Sequence, residues 1–443
     1  MGLILCMVFR VFISLFLLFI ATPCFGLEPL PGRESDVGFV LEDNELYQNH
    51  FQGIRIRGSI PVRIKNCTFH SNGRGGIALE RDSQVKITGC NLFQNGMAGI
   101  NLDEAGDTVV ENNRIFKNKM AGIRVWRSGK PEAFVSSVKI ANNRIYSNDQ
   151  AGIRSMPQGS SRVEVLAIGN EIFNNDKAGI VVENNTRLTA RGNSIYENGT
   201  AGIMTYQSKV PPELDVYQND VSFNRGVGIH ILNGRTGDIG IRNNWIYNNQ
   251  RSGILCALWD VPNVGSVDAE IINNTIVANG SADQGAGIRS DSDGKVVIMN
   301  NIVAFNYVSG IMTKGCKRYS HNLIFANGRV GNCCEDPHTA PYWIESLQLG
   351  GCQKRGDGDL ITDPMFVDPD NYDFSLRDGS PAIDAGDEYD DISMPPSQGT
   401  SKNDMGATGG PYAITQRGVM AKHEAQHAVK LCANPKQKTP FDD

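Results

Sequence analysis

The sequence predicts an all-β solenoid: three short strands per turn, about twelve turns stacked into a single rod, and a C-terminal cap. Three observations predict it. A unit of the form Asn-x-Ile-aromatic-x-Asn-x-x-x-Gly-Ile recurs, cleanest in Asn143-Arg144-Ile145-Tyr146-Ser147-Asn148 followed by Gly152-Ile153. Its glycines (Gly53, Gly76, Gly99, Gly122, Gly152, Gly179, Gly202, Gly228, Gly253, Gly287, Gly310 and Gly331) are most often 23 residues apart, and longer intervals are the same unit with a loop inserted. Every one of them is preceded by an Asn, from Asn49, Asn72 and Asn95 through to Asn306 and Asn327.

Taken in chain order, residues 1–26 carry Arg10, an apolar run Val11 to Thr22 and a small-x-small site at Cys24-Phe25-Gly26, the pattern of a cleavable signal peptide. Residues 27–43 are then an N-terminal cap and 44–335 the rod. Within each unit the Ile after Gly (Ile54, Ile77, Ile100, Ile123 and onward) points inward, because one coil alone cannot bury its apolar face. The Asn suits the bends, both by tolerating left-handed backbone and by bonding its amide to that of the next coil. Gly relieves crowding where the chain enters the next strand. The aromatic column Tyr47, Phe93, Phe116, Tyr146, Phe173, Tyr196, Tyr247 and Phe325 recurs too regularly to be a site and reads as a stack. Helical repeats of similar period are disfavoured by the Asn, Gly and β-branched content. At one strand spacing per coil the rod is about 58 Å long.

Residues 336–411 form an acidic cap segment, covering strand edges that an open coil would expose, and 412–443 a polar tail. Asp357, Asp359, Asp363, Asp368, Asp370 and Asp373 offer oxygen ligands of the kind Ca²⁺ takes, while their Asp-Pro pairs are equally turn formers; no other cofactor is indicated. The 443 residues, 40% hydrophobic and 20% charged, exclude a disordered chain. With Lys+Arg 42 against Asp+Glu 48 and no basic stripe, nucleic acid is not expected as a partner. Once the leader is removed no membrane-length run remains, and the oligomeric state is left open.

The Asn/Ile/Gly-Ile unit resembles the repeat of right-handed parallel β-helix proteins, within the NosD-like and carbohydrate-binding/sugar-hydrolase repeat families of the pectate-lyase-like superfamily. The resemblance covers roughly residues 40–335 and implies a single-stranded right-handed parallel β-helix, exported to the periplasm or beyond. Asp336-Pro337-His338 is similar to the Asp-Pro-His-Asp of mannuronan epimerases, but Thr339 replaces the final Asp and the match is read as coincidental.

Eight cysteines remain after the leader. Cys67 and Cys90 share a column in consecutive coils, to bridge or to stack as thiols; Cys316, Cys333, Cys334 and Cys352 cluster at the rod's end as disulfide candidates of undetermined connectivity.

Insertions concentrate after the Gly-Ile strand, in the copies beginning at Gly122, Gly152, Gly202 and Gly253, so the face beside them is the expected ligand groove. Strand alternation turns outward Arg124 and Trp126, Arg154 and Met156, Val181 and Glu183, Met204 and Tyr206, His230 and Leu232, and Arg289 and Asp291, with Trp259 on the longest loop. Rings that pack on sugars beside guanidinium forks that bind carboxylates suit a polysaccharide, an acidic one above all. A lyase acting there would draw its base from Arg154, Tyr206 or His230 and its neutralising charge from Arg124 or Arg289. The competing expectation is a non-catalytic extracytoplasmic scaffold or NosD-like accessory protein, on which these residues are mere surface.

Overall fold

The structure, a computed structural model, describes residues 38–413 apart from 60, 82, 105, 128–134, 159–160, 207–209, 233–238, 258–266, 282–284, 293, 315–317, 329–341, 346–355, 388–401 and 411. Three parallel sheets of 12 strands each run its length, and within each sheet neighbouring strands are three apart in chain order, one per coil. The first coil supplies Phe39–Glu42, Glu45–Tyr47 and Ile54–Arg57 to the first, second and third sheet respectively. The Gly-Ile strands make the third sheet. This is a right-handed parallel β-helix, and its core is the column of inward isoleucines: Ile123 is in register with Ile100 and Ile153, and all three are 0% exposed.

Two asparagine ladders line the corners on either side of the second sheet. In one, each Nδ2 from Asn49 to Asn306 donates to the Oδ1 of the Asn in the following coil at 2.9–3.0 Å, and the backbone N–H of the same residue donates to the same oxygen, as at Asn118 and Asn148. The second ladder runs Asn113, Asn143, Asn170, Asn193, Asn219, Asn244, Asn274, Asn301, Asn322. Beyond the half-buried Asn49 these side chains are buried, so each rung satisfies groups that would otherwise cost about 1–3 kcal/mol. The expectation that the ladder Asn takes up the left-handed backbone is corrected. The left-handed residue is the one before it, whatever its type: Ser147 (φ 53°) before Asn148, Lys117 (φ 54°) before Asn118, Phe223 (φ 53°) before Asn224. The amide ladder alone accounts for the Asn column.

The glycine column answers to crowding. A Cβ on Gly122 would lie 2.5 Å from Ile145 Cγ2 and 2.8 Å from the Gly152 carbonyl oxygen of the next coil, and Gly152, Gly179 and Gly253 meet their neighbours in the same way.

On the outer face of the second sheet Tyr47, His70, Phe93, Phe116, Tyr146, Phe173 and Tyr196 stack at centroid distances of 4.8–5.1 Å, with His70 filling the place the aromatic reading left empty between Tyr47 and Phe93. Ser222 ends the stack. Tyr247 and Phe325 belong instead to a second core, where Trp245, Val277, Ile302 and Leu323 are packed under Phe366, Phe374, Leu376 and Met405.

The C-terminal segment thus lies along the side of the rod as well as at its end. At the end, Asn322 donates through its backbone N–H and Nδ2 to Asp359 Oδ1 (2.7 and 3.2 Å), so an Asp takes the next place in the ladder. Along the side, Asn273 Nδ2 donates to the Asp404 carbonyl (2.8 Å), Gly406 N–H to the Asn300 carbonyl (2.7 Å) and Ala407 N–H to Thr275 Oγ1 (2.9 Å). Three of the other aspartates close local turns: Asp363 Oδ1 accepts from Met365 N–H, Asp368 from Asn371, and Asp373 from Ser375. Among the described residues no three His, Cys, Asp or Glu side chains converge to hold a metal ion, so these aspartates give a Ca²⁺ site no geometric support. Nor is any helix among them long and apolar enough to cross a membrane.

Cys67 and Cys90 are buried free thiols, not a disulfide; each donates to a local carbonyl, Cys67 to Lys65 and Cys90 to Thr88. They occupy the ladder positions ahead of Asn113, and Cys90 N–H donates to Asn113 Oδ1 at 2.9 Å. Cys316, Cys333, Cys334 and Cys352 lie outside the described residues, as do residues 1–37, the Asp336-Pro337-His338 segment and the tail from 414.

Candidate functional site

Alternation along the third sheet turns two columns outward, as the sequence implies. The first reads Arg55, Ala78, Asn101, Arg124, Arg154, Val181, Met204, His230, Leu255 and Arg289; the second reads Arg57, Glu80, Asp103, Trp126 and Met156. The face is charged over its first coils and apolar around Val181, Met204 and Leu255, so the expected residues do not form one site.

Most of the expected cations are already spent on internal partners. Arg154 donates through Nε and Nη2 to Glu183 Oε1 at 2.9 and 2.8 Å, and Arg289 Nε sits 2.9–3.0 Å from both carboxylate oxygens of Asp291. His230 is buried at 7% exposure, and burial, with the Arg251 charge adding, pushes its pKa down to about 4. It is therefore neutral, and its Nε2 has no hydrogen-bond partner among the described residues. Tyr206 stands exposed at the strand end, and Trp259 lies outside the described residues together with most of the long loops that were to wall the groove.

Arg124 differs from the other cations. Its guanidinium lies 4.5 Å from the Trp126 ring centroid and Nη1 makes a 3.3 Å bond to Asn101 Oδ1, but among the described residues it has no ion-pair partner. Burial lowers its pKa and the nearby Asp103 charge works against that. Arg124 lines a groove of about 170 Å³ with Arg55, Ala78, Glu80, Asn101 and Asp103.

Two carboxyl groups share this groove in different states. Burial pushes the Glu80 carboxyl up, but hydrogen bonds from Arg55 (2.7 and 2.8 Å) and Arg57 (2.6 and 3.0 Å) outweigh it and hold Glu80 below the usual range. Asp103 is raised, first by burial and then by the charges of Glu80 and Glu104. Arg55, Arg57, Glu80, Asn101 and Asp103 were not singled out from the sequence, because attention to the loop-bearing copies began the outward columns at Arg124. The signal was present in Gly53-Ile54-Arg55-Ile56-Arg57, Gly76-Ile77-Ala78-Leu79-Glu80 and Gly99-Ile100-Asn101-Leu102-Asp103, which obey the same alternation.

A larger groove of about 570 Å³ lies on the first sheet, over Gly240. Several of its charges are paired with one another: Arg242 reaches across the missing side chain to Asp215 (3.1 Å) and Glu270 (2.7 Å).

The family model described as "Right handed beta helix region" matches residues 33–167 and 135–249. No curated protein matches the chain. Among solved structures, a mutant of the periplasmic alginate epimerase AlgG is similar at 20% identity and TM-score 0.44 over 54% of this chain and 59% of that one, so less than two thirds of the epimerase is spanned. The pectate lyase Pel9A is similar at 14% identity and TM-score 0.44 over 83% and 85% of the two chains. The A-module of the Azotobacter vinelandii mannuronan C-5 epimerase AlgE6 gives 13% identity and TM-score 0.34 over 69% and 92%. The family model and the three parallel sheets contributing one strand each per coil agree on the fold: the chain folds as a right-handed parallel β-helix.

Proposed function

We propose that this protein binds an acidic polysaccharide along the third-sheet face, with Arg124 and Trp126 at the centre of the binding surface. One observation carries the reading. The Arg124 guanidinium lies over the Trp126 ring, 4.5 Å from its centroid, and Arg124 is the arginine of the expected set that keeps no carboxylate of its own among the described residues. A guanidinium fork free for a uronate carboxylate, beside an indole face for the apolar side of a pyranose, is the chemistry such a ligand requires. The pairs Arg154–Glu183 and Arg289–Asp291 are surface structure in this reading. They are also what favours the scaffold or NosD-like alternative for the rest of the face. The protein acts outside the cytoplasm, a reading supported by the leader-like residues 1–26; the division into 27–43, 44–335, 336–411 and 412–443 is part of the same proposal.

The test is retention of the purified chain on immobilised polygalacturonate, alginate and hyaluronan. Retention that is lost in Arg124→Ala and Trp126→Ala, with unchanged melting curves, supports the reading. Retention unaffected by both substitutions removes the site from this face, and no retention on any polymer favours the scaffold.

A further inference from the structure

We propose that the hairpin of the C-terminal segment is a proton-gated strap, which seats on the side of the rod over a neutral Asp220 and lifts as that carboxyl ionises. The inference is independent of the polysaccharide reading and concerns the second sheet, not the third. Phe366–Asp368 and Asp373–Leu376 pair antiparallel across the turn Pro369–Asn371. This hairpin lays Tyr372 against Tyr247, ring centroids 5.8 Å apart, and sets Phe374 edge-on to the same ring at 5.1 Å. Tyr247 in turn reaches Asp220: its hydroxyl is 3.1 Å from Oδ2, and Ser222 Oγ is 3.0 Å from Oδ1. Asp220 is only 8% exposed, although its place in the strand is an outward one. Its column shows what covers it. Arg144 is exposed and Glu171 and Ser194 are half-buried, whereas Asp220, Trp245, Thr275 and Ile302, which follow them in register, are all buried. The change falls where the segment comes to lie along the rod, for Trp245, Tyr247 and Ile302 share one core with Phe366 and Phe374.

Two hydroxyls are the hydrogen-bond partners of Asp220, and among the described residues it has no cation. A carboxyl group buried on those terms takes up a proton rather than keep its charge. Burial accordingly pushes Asp220 up to about 7, although both hydroxyls work the other way. The other titratable groups facing this network are Tyr247 from the rod and Tyr372 from the segment. Burial raises both above the ordinary tyrosine range, with Asp370 adding at Tyr372, so they stay neutral while Asp220 titrates. With the strap lifted, Asp220 meets solvent, where an aspartyl group ionises near pH 4. The seated state thus holds a proton that the lifted state releases. Seating is strongest below about pH 4, weakens by up to about tenfold per pH unit as pH rises to about 7, and changes little beyond. Asp359, the segment's ladder carboxylate, meets Asn322 four coils further on, so a substitution at Asp220 separates the two. A lifted strap bares the apolar strip of Trp245, Val277, Ile302 and Leu323 on the rod.

The experiment follows hydrogen–deuterium exchange of the full chain at about pH 5, 6, 7 and 8, with labelling times scaled to the intrinsic exchange rate. Peptides from Phe366–Asp368 and Asp373–Leu376 report the strap, and peptides from the third-sheet strand Ile123–Arg127 report the rod. In the parent, the opening equilibrium of the strap is expected to rise by up to about tenfold per pH unit as far as pH 7, with the rod strand unchanged. Asp220→Asn keeps the shape of the neutral acid and should leave the strap closed with no pH slope. Tyr247→Phe takes one hydroxyl from the carboxylate and should carry the slope above pH 7. A parent whose strap shows no slope overturns the proposal, as does a slope that survives in Asp220→Asn. Strap and rod opening together with pH also overturn it, because the proton then belongs to global unfolding. Should Asp220→Asn not fold, Tyr247→Phe decides the matter: a slope that ends at the same pH as in the parent removes Asp220 from the gate.

Discussion

Arg154 places two donors, Nε and Nη2, on a single oxygen of Glu183, whereas Arg124, one coil earlier in the same column, has no carboxylate partner among the described residues. The two arginines are indistinguishable in the repeat pattern, and the difference lies in what the following coil offers: Glu183 is within reach of Arg154, while Arg124 has Arg154 itself as its in-register neighbour.

Polymer affinity should therefore depend on Arg124 and not on Arg154. Arg124→Ala is expected to weaken binding about tenfold or more, roughly 1.4 kcal/mol. Arg154→Ala and Arg289→Ala should leave it within about twofold. Affinity electrophoresis on the retained polymer checks the contrast, and equal losses in all three would mean that the face acts only through its summed charge.

Asp359 should tolerate Asn better than Ala. Asn322 needs an acceptor there, and Asn is the acceptor in the rungs from Asn113 to Asn322. Urea unfolding should show Asp359→Ala destabilised by about 1–3 kcal/mol, with Asp359→Asn closer to the parent.

Gly122→Ala should be destabilising by about 1–3 kcal/mol although Ala is a smaller perturbation than almost any other residue, since its Cβ must displace Ile145 or the Gly152 carbonyl. A variant as stable as the parent would show that the coils can separate locally.

Two buried groups should give the stability of the rod opposing pH slopes. Burial, against hydrogen bonds from Ser222 and Tyr247, pushes Asp220 up to about 7, so the folded state holds a proton that the unfolded chain releases near pH 4. Between about pH 4 and 7 its contribution falls as pH rises. His230 is lowered to about 4, so the unfolded chain binds the extra proton and its contribution rises with pH between about 4 and 6.5. Relative to the parent, Asp220→Asn should tilt the urea-derived stability profile upward with pH across this window and His230→Phe should tilt it downward. Equal tilts, or none, would show that neither group keeps its buried protonation state.

The fold was legible because a solenoid writes each structural role into a column, and columns survive loop insertion. Asn148, Gly152 and Ile153 could be assigned to corner, crowded approach and core from spacing alone. The partners of exposed side chains were not legible in the same way. Whether Arg154 or Arg124 is the open cation depends on side-chain reach across a coil boundary, and whether His230 is exposed depends on what covers it, while alternation reports only that both point outward. The course of the C-terminal segment was partly hidden for a similar reason. The exposed strand edges of an open coil announced a cap, but the surface along the side that receives it, Trp245 to Leu323, looked like a continuation of the aromatic column.

The asparagine ladders have a direction. In every rung the earlier coil donates and the later coil accepts, so each corner is completed by chain that has not yet been made when that corner leaves the ribosome. A rod cut short at its C-terminal end is left with buried donors lacking acceptors. Cut at its N-terminal end, it is left instead with side-chain oxygens that have lost both donors, the backbone and the side-chain N–H of the preceding Asn. The two ends of the repeat array are thus unequal in what they require. An Asp serves as the last rung because that place calls for an acceptor and has no amide to pass on.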